Sequence, residues 1–228
     1  MSVSAPRVLL INPNSSEATT GMMCEIAQKT AGERLAFYAK TANLNPVMIV
    51  NGEQLSASEA QVIKIGQAGK HNCSGIIISA YGDPGVDFLR NELDVPVIGI
   101  CEASMLVAAA DQRKYGVATV TPDLAVQIAN RAKYLGFAHL YTGIRCTPGD
   151  PREIAGQPER LIEELGHAVE LCLLDGAEAV VIGGGPLGEA AEQLQKMFDV
   201  PIIAPISSAV ELMVKAINEK EMPMKAIV

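Results

Sequence analysis

The chain has 228 residues, of which 49% are apolar, enough to bury a core in one large domain or in two smaller lobes. Its formal net charge is -8, with 18 Lys and Arg residues scattered among 26 Asp and Glu residues, which excludes nucleic acid and anionic membranes as expected partners. Aromatic residues make up only 4% and Trp is absent. The core must therefore consist of Ala, Val, Ile, Leu and Met, which favours helix-covered parallel sheets.

The start of the sequence predicts a cytosolic protein. Residues 1–6 are short and polar and lack the charged and apolar regions of a signal peptide. No apolar stretch approaches the roughly 20 residues that a membrane span needs. The cysteines number five, without close pair spacing or neighbouring histidines, so neither a disulfide framework nor a metal site is expected.

Short apolar, β-branched runs alternate with longer segments of helical periodicity, which is typical of an α/β protein with a parallel sheet. We predict strands over residues 7–12, 35–40, 75–79, 97–100, 115–120, 139–144, 179–182 and 201–204. We predict helices over residues 16–30, 58–70, 85–93, 102–111, 123–135, 158–174, 187–198 and 207–218.

The second half of the chain repeats the order of parts found in the first half. Residues 76–79 lead through a Gly/Pro loop and a helix to the strand segment DVPVI at residues 94–98. Residues 180–183 lead through a similar loop and helix to DVPII at residues 199–203. The sequence thus contains an internal duplication.

The repeat extends upstream, where the run that ends in Asn12 before a proline parallels the run that ends in Thr121 before a proline. Two such halves predict two pseudo-symmetric Rossmann-like lobes, each a mostly parallel sheet flanked by helices, with the site in the cleft between them. We expect the first lobe over residues 1–103 and the second over residues 104–206. A C-terminal helix over about residues 207–228 is expected to pack back on the first lobe.

Ligands of parallel sheets bind beyond the carboxyl ends of the strands, where helix N-termini offer unpaired N–H groups to anions. Four predicted turns lie at such ends: residues 13–16, 80–85, 119–123 and 183–188. We expect all four to line the cleft.

Residues 183–188 (GGGPLG) satisfy the pattern G-x-G-x-x-G, follow a strand and open a helix. A dinucleotide site is nevertheless not favoured, because no acidic residue ends the following strand. Pro186 also suits the first position of a helix better than a pyrophosphate cradle. No cofactor is expected.

The segment NPNSS at residues 12–16 offers amide and hydroxyl groups that can hold a polar ligand. Asn14 or Ser15 also suits the cap of the following helix, and the two roles are compatible. The sequence leaves both open.

The loop after the third predicted strand offers a phenol and a carboxylate. Asp83 stands directly before a proline, which is typical of a helix N-cap, and its carboxylate is also a candidate catalytic group. Tyr81 has an ordinary pKa of about 10, so it can donate a proton but is a poor base at neutral pH.

Cys101 follows a predicted strand, and Glu102 stands beside it at the start of a helix. A free cysteine is most often a small buried hydrophobic residue, so packing competes with catalysis as the role of Cys101. The three histidines are dispersed and indicate no triad or metal cluster.

Four segments, NPNSS at 12–16, GDPG at 82–85, VIGICEA at 97–103 and GGGPLG at 183–188, together resemble the aspartate/glutamate racemase superfamily. The resemblance is closest to its hydantoin and allantoin racemase branch and covers nearly the whole chain. It implies a two-lobed, cofactor-free enzyme that binds a small molecule in the cleft between its lobes and forms a homo-oligomer.

In that family two cysteines face each other across the substrate, one removing a proton beside a carbonyl and the other returning a proton to the opposite face. The resemblance aligns these cysteines with Ala80 and Gly184 of this sequence. It therefore implies replacement catalytic residues, and the candidates are Tyr81, Asp83, Cys101 and Glu102.

The anion-binding groups of the cleft are retained in this interpretation. The expected substrate-binding residues are Asn12, Asn14, Ser15, Ser16, Ala80, Gly82, Thr119, Thr121, Gly184, Gly185 and Pro186. Their N–H and hydroxyl groups suit a carboxylate, an imide or an enolate.

The main hypothesis is a racemase or epimerase that acts on a small hydantoin, amino acid or related carboxylate. A hydrolase or lyase of a small carboxylate or cyclic amide is an alternative, because it needs only one acid/base group and an oxyanion hole. A non-catalytic small-molecule binder that inherited the fold is a second alternative.

Overall fold

The computed structural model describes residues 4–221, which form two parallel four-stranded sheets flanked by helices. The strands of the first sheet are β1 (Arg7–Asn12), β2 (Ala36–Thr41), β3 (Gly75–Ile78) and β4 (Val97–Gly99). Those of the second sheet are β5 (Tyr115–Thr119), β6 (Tyr141–Cys146), β7 (Ala179–Gly183) and β8 (Ile202–Ile203).

The helices lie between and around the two sheets. They are α1 (Glu17–Ala31), α2 (Gly52–Gly69), α3 (Val86–Glu92), α4 (Ile100–Ala108), α5 (Ala125–Tyr134), α6 (Pro151–Ile154), α7 (Pro158–Leu174), α8 (Gly188–Leu194) and α9 (Pro205–Glu221). Short 3-10 turns cover Ala110–Gln112, Pro122–Leu124 and Gly185–Leu187. Over residues 4–221, no helix has both the length and the apolar character needed to cross a membrane.

The two sheets have the same topology. Their strand orders are β2-β1-β3-β4 and β6-β5-β7-β8, and all the pairs are parallel. This confirms the predicted α/β fold with pseudo-symmetric halves. We call β1–β4 with their connecting helices the first half, and β5–β8 with theirs the second half.

The strand register corrects the alignment of the repeat. Ala42 donates its N–H to the carbonyl of Asn12 at 2.9 Å, and Thr147 donates to the carbonyl of Thr119 in the same way at 3.0 Å. Asn12 therefore corresponds to Thr119, and the predicted correspondence with Thr121 is wrong by two residues. The prediction was anchored on the prolines, but the turn before the proline is longer after β5 than after β1.

Local capping explains where two helices begin. Ser16 caps α1, because its Oγ accepts the N–H of Thr19 at 3.1 Å, so the predicted cap at Asn14 or Ser15 is wrong. Asn51 caps α2 by accepting the N–H of Gln54 at 2.9 Å, so that α2 begins at Gly52. The sequence prediction started α2 six residues too late, because it followed apolar periodicity and overlooked the asparagine cap.

One hydrophobic core joins the two halves. Side chains alternate along β1, so Leu9 and Ile11 face α2 and α3 while Val8 and Leu10 face the opposite side of the sheet. There they share a core with α1, α4, α9 and the inner face of the second sheet. A separate cluster fills the space between the second sheet and the helices α7 and α8.

The helix α9 packs against α1, α4 and the strands β3 and β4 of the first half. It begins at Pro205 rather than residue 207, and residues 222–228 of the predicted helix lie outside the described residues. The expected lobe boundary between residues 103 and 104 falls within α4, which contacts both sheets. The division of the chain into lobes at these residues stays a prediction.

Candidate active site

A small cavity lies where the loops at the carboxyl ends of β1, β3, β5 and β7 meet. Its volume is about 110 Å³, and we call it the inner pocket. The loops contribute Asn14, residues 79–81, Val120 with Thr121, and residues 183–187. The walls are completed by apolar side chains, among them Met48 and Leu161.

Six of the predicted substrate-binding residues line the inner pocket: Asn14, Ala80, Thr121, Gly184, Gly185 and Pro186. Within the described residues, the backbone N–H groups of Tyr81, Gly184 and Gly185 have no hydrogen-bond partner. These donors come from equivalent loops of the two halves, one after β3 and the other after β7. Loops from both halves therefore bring backbone N–H groups without a protein partner to the lining of the inner pocket.

Asn12 is buried and shapes the turn after β1. Its amide group donates to Asn14 Oδ1 at 2.8 Å and to Thr20 Oγ1 at 2.9 Å, and its oxygen accepts the N–H of Asn14 at 3.1 Å. The N–H of Ser15 is bonded to the carbonyl of Pro46 at 3.0 Å. Asn12 and Ser15 thus support the turn and do not line the inner pocket.

Thr119 is buried at the end of β5. Its hydroxyl donates to the carbonyl of Gly183 and lies 3.3 Å from the hydroxyl of Thr121. Thr119 therefore joins the ends of β5 and β7 directly beneath the loops that form the pocket.

Tyr81 has the one ionisable side chain among the described residues that line the inner pocket. It is only 5% exposed, and its hydroxyl lies 3.4 Å from the Oγ of Ser104 on α4. Burial raises the pKa of Tyr81 well above its ordinary value. The phenol therefore remains protonated at neutral pH.

Asp83 does not cap the helix that follows it in the chain, so the predicted cap of α3 is wrong. Its two carboxylate oxygens accept the N–H groups of Cys101 at 2.9 Å and Glu102 at 2.8 Å, in the first turn of α4. The loop turns back through a left-handed φ of 54° at Asp83 and 78° at Gly85. This brings Asp83 against Gly99, where a Cβ atom would lie 2.1 Å from the Asp83 carboxyl carbon.

A buried ionic cluster surrounds Asp83 and Glu102. Arg131, on α5, binds Glu102 and approaches Asp83, with its Nε 3.3 Å from Asp83 Oδ2. Arg90 binds the other oxygen of Glu102. Burial first, and the neighbouring Glu102 next, raise the pKa of Asp83 to about 7, although Arg131 and the two N–H bonds act in the opposite direction.

This cluster lies on the far side of the loop from the inner pocket. Gly82, Asp83 and Arg131 line a separate hollow of about 420 Å³. Cys101 is fully buried, and its pKa is raised well above the ordinary value by burial first and by Asp83 next. Of the four candidate catalytic residues, the structure brings Tyr81 alone to the inner pocket.

Sequence reasoning missed Arg131, although α5 carried a signal. Ile128, Arg131 and Ala132 form the buried side of this helix. A charged residue at an apolar position of the 3.6-residue period indicates a buried ion pair. Across residues 4–221 no cluster of three or more His, Cys, Asp or Glu side chains suits a metal ion.

A larger cavity of about 520 Å³ adjoins the inner pocket, and we call it the outer pocket. The two pockets share six residues: Asn14, Met48, Ala155, Leu161, Pro186 and Leu187. Ser16 lines the outer pocket only. Of the residues that line this cavity, the sequence predicted Asn14, Ser16 and Pro186. It missed those in the segment before α2 and in and beside the short helix α6, which was not predicted.

The duplicated sheets and the cleft between them define a class of two-lobed α/β protein with its site at the carboxyl ends of equivalent strands. The chain belongs to the Asp/Glu/Hydantoin racemase family, whose sequence model matches residues 8–213. This confirms the resemblance to that superfamily.

Two hydantoin racemases are among the relatives. The protein from Pseudomonas sp. (strain NS671) is 28% identical over 210 residues, which cover 90% of this chain and 83% of that protein. The protein from Rhizobium meliloti is 27% identical over 89% of this chain and 85% of its own length.

Solved structures share the fold. The allantoin racemase from Klebsiella pneumoniae aligns with a TM-score of 0.89 at 24% identity, over 95% of this chain and 89% of that chain. The unliganded arylmalonate decarboxylase aligns with a TM-score of 0.62 at 14% identity, over 93% of both chains.

Proposed function

We propose that the chain is a cofactor-independent, racemase-type enzyme that moves a proton at the carbon beside a carbonyl of a small hydantoin, amino acid or related carboxylate. The observation that carries this proposal is the set of unpaired N–H groups of Tyr81, Gly184 and Gly185 around the inner pocket. The similarity to hydantoin racemases over nine-tenths of the chain supports the substrate class. We expect a homo-oligomer that acts in the cytosol.

These N–H groups match the charge that the reaction creates. Removing a proton beside a carbonyl places negative charge on the carbonyl oxygen, and fixed N–H donors in a site shielded from water stabilise that charge. The donors belong to loops after β3 and β7, whose strands are anchored in the core. A bound enolate or imide would thus be held from both halves of the protein.

Tyr81 is the candidate acid of the reaction. Burial raises its pKa well above the ordinary value, so the phenol carries a proton at neutral pH but gives it up less readily than an exposed tyrosine. It is the candidate because it is the one ionisable side chain among the described residues that line the inner pocket. We assign Asp83, Cys101 and Glu102 to positioning of the loop, since they bind one another and Arg131 outside the inner pocket.

Tyr81 accounts for the acid and not for the base, because no second ionisable side chain among the described residues lines the inner pocket. The proton on carbon would therefore have to be removed by a water molecule or hydroxide ion admitted to the pocket.

A hydrolase or lyase is the second candidate function. It is favoured by the lining of the inner pocket, because Tyr81 is the one ionisable side chain among the described residues that line it. Inverting a stereocentre without a cofactor needs an acid and a base on opposite faces, whereas hydrolysis or carbon–carbon cleavage can proceed with one such group and an oxyanion hole.

Proton NMR in D2O separates these functions. The substrates are hydantoin, 5-benzylhydantoin, allantoin, aspartate, glutamate and substituted malonates, each with an enzyme-free control. Loss of a proton signal at the carbon beside the carbonyl supports the racemase, and new product signals without that loss support the hydrolase or lyase. Unchanged spectra across the panel would contradict both and leave a non-catalytic binder.

The role of Tyr81 is tested by Tyr81→Phe. We expect the rate to fall about 100-fold or more, as is typical when a general acid is removed. Tyr134→Phe is the matched control, because Tyr134 is exposed and lines the separate hollow rather than the inner pocket. Equal rates for the two variants would exclude Tyr81 as the acid.

A further inference from the structure

We propose that Ser104, on α4, is a positioning residue for Tyr81: its hydroxyl turns from a helix carbonyl to the phenolate oxygen that forms when Tyr81 protonates the ligand. The proposal rests on the proposed function, in which Tyr81 is the acid. It adds a residue that does not line the inner pocket and acts on the reaction through Tyr81.

The contacts of the Ser104 hydroxyl are the first argument. Ser104 is fully buried, and its Oγ donates to the carbonyl of Cys101 at 2.9 Å and lies 3.4 Å from the hydroxyl oxygen of Tyr81. A serine hydroxyl has one hydrogen and two lone pairs. While its hydrogen is bonded to the Cys101 carbonyl, Ser104 can only accept from the protonated phenol.

The bond from Ser104 to Cys101 can be exchanged for another at little cost. Cys101 is the second residue of α4, so its carbonyl also faces the N–H of Met105 in the next turn, as in any α-helix. The serine is a second donor to that carbonyl. Rotation about the Cβ–Oγ bond is therefore enough to turn the Ser104 hydrogen towards Tyr81.

The step that needs Ser104 is the proton transfer from Tyr81 to the ligand. The O–H bond of the phenol breaks and its electron pair stays on the phenolate oxygen, while the electron pair of the enolate forms the new C–H bond. The phenolate then takes a proton from water and leaves a hydroxide ion. Between these two events Tyr81 carries a negative charge, and Ser104 is the hydroxyl that lies beside it.

Burial makes this charge unfavourable, since Tyr81 is only 5% exposed. Burial is also the main cause that raises the pKa of Tyr81 well above its ordinary value. The Cys101 thiol and the phenols of Tyr115 and Tyr141 raise this pKa further, whereas the hydrogen bond with Ser104 lowers it. A hydrogen bond to a charged group is stronger than one to a neutral group, so Ser104 stabilises the phenolate more than the phenol.

The rate test follows hydrogen–deuterium exchange by proton NMR in D2O, on the compound of the panel of hydantoins, amino acids and malonates that exchanges fastest. We expect Ser104→Ala to lower the rate about tenfold or more, the loss expected for one hydrogen bond to a charged group. In a chain that already carries Tyr81→Phe, adding Ser104→Ala should change the rate by less than about twofold, because no phenolate forms.

Ser58→Ala is the matched control. Ser58 is also fully buried, and its Oγ donates at 2.7 Å to the carbonyl of Leu55, three residues earlier in α2. It lines neither the inner nor the outer pocket. The control removes the same kind of helix bond, so we expect an exchange rate within about twofold of the unmodified protein. Circular dichroism verifies that all variants are folded.

A titration tests the same contact without turnover. The five tyrosines are replaced by 3-fluorotyrosine, whose fluorine lowers the pKa of the phenol, and the fluorine NMR signal of Tyr81 is identified by its absence in Tyr81→Phe. We expect the titration midpoint of this signal to rise by about one pH unit or more in Ser104→Ala and to stay unchanged in Ser58→Ala.

The outcomes separate this inference from the proposed function. Equal losses of exchange in Ser104→Ala and Ser58→Ala, a further tenfold loss on top of Tyr81→Phe, or an unchanged Tyr81 midpoint in Ser104→Ala each overturn the inference and leave the proposed function intact. Absence of exchange by the unmodified protein on every compound of the panel overturns the proposed function and, with it, the role of Ser104.

Discussion

Arg131 on α5 donates to Asp87 on α3, with Nη1 and Oδ2 2.8 Å apart, and so links the second half of the protein to the first. The same guanidinium binds Glu102 and lies beside Asp83. One side chain from the second half therefore contacts carboxyl groups on three neighbouring segments of the first half. Because Asp83 belongs to the loop after β3, this link also fixes one wall of the inner pocket.

We expect Arg131→Met to lower the free energy of unfolding by about 3–5 kcal/mol, because it leaves buried carboxylates without their partner. The measurement is urea denaturation followed by circular dichroism. Lys29→Met is the control, since the Lys29–Glu192 pair is exposed, at 72% and 55%, and should contribute at most about 1 kcal/mol. Similar losses in both variants would contradict a structural role for the buried cluster.

Asp83 predicts a specific dependence of stability on pH. Its pKa is raised to about 7 in the folded protein, first by burial and next by Glu102, whereas the unfolded chain has an ordinary value of about 3.9. Between these two values the folded state binds more protons than the unfolded state, so this group makes stability fall as the pH rises.

Asp83→Asn removes that titration. We expect the melting temperature of the unmodified protein, minus that of the variant, to decrease as the pH rises from about 4 to about 7 and to level off outside this window. Differential scanning calorimetry at several pH values measures this difference. A difference that stays constant or grows with pH would show that the pKa of Asp83 is not raised.

Gly99 is predicted to tolerate no side chain. A Cβ atom there would lie 2.1 Å from the carboxyl carbon of Asp83, so Gly99→Ala must displace the loop or α4. We expect a loss of about 1–3 kcal/mol in thermal or urea unfolding. Gly21→Ala, in α1 with no heavy atom within 4 Å of the new Cβ, should instead stabilise by up to about 1 kcal/mol. Neutral behaviour at Gly99 would argue against the close approach of Asp83.

The double variant Ala80→Cys and Gly184→Cys is predicted to gain activity, because the family resemblance aligns these two positions with the pair of cysteines that move the proton. Gly184 has φ 167° and ψ 133°, an extended backbone that any residue adopts, and the new side chain would require only a shift of the Leu187 side chain. We expect hydrogen–deuterium exchange on 5-benzylhydantoin to rise about 100-fold.

The serine pair at the same two positions is the size-matched control, because a hydroxyl is a far weaker acid than a thiol. Each single cysteine variant should exchange more slowly than the pair, since one face of the ligand would lack its proton carrier. Equal exchange in the cysteine and serine pairs would contradict the proposed binding geometry.

Sequence patterns predicted most of the fold, because local signals determine it. The β-branched runs that form β1 and β3 are bounded by Pro, Gly and Asn, and their order repeats in β5 and β7. The short helix α6 was missed because a helix of four residues is too short to show a helical period of apolar residues. The early start of α2 was missed because no periodic apolar pattern surrounds its cap, Asn51.

The candidate site was less predictable, because its contacts join residues that are far apart in sequence. Asp83 looked like the cap of the next helix, yet it caps α4, almost 20 residues later. Arg131 joins the same cluster from the other half of the chain. Such pairings depend on how the loops fold over the sheets, and no local pattern in the sequence encodes that.

The core shared by the two halves also bears on how the protein moves. Val8 and Leu10 of the first sheet and Val117 of the second belong to the same hydrophobic cluster, together with α1, α4 and α9. Swinging the halves apart as rigid bodies would expose this cluster to water, at a cost comparable to partial unfolding. Ligand entry is therefore expected to occur without separation of the two halves, and the whole chain should melt in a single cooperative transition.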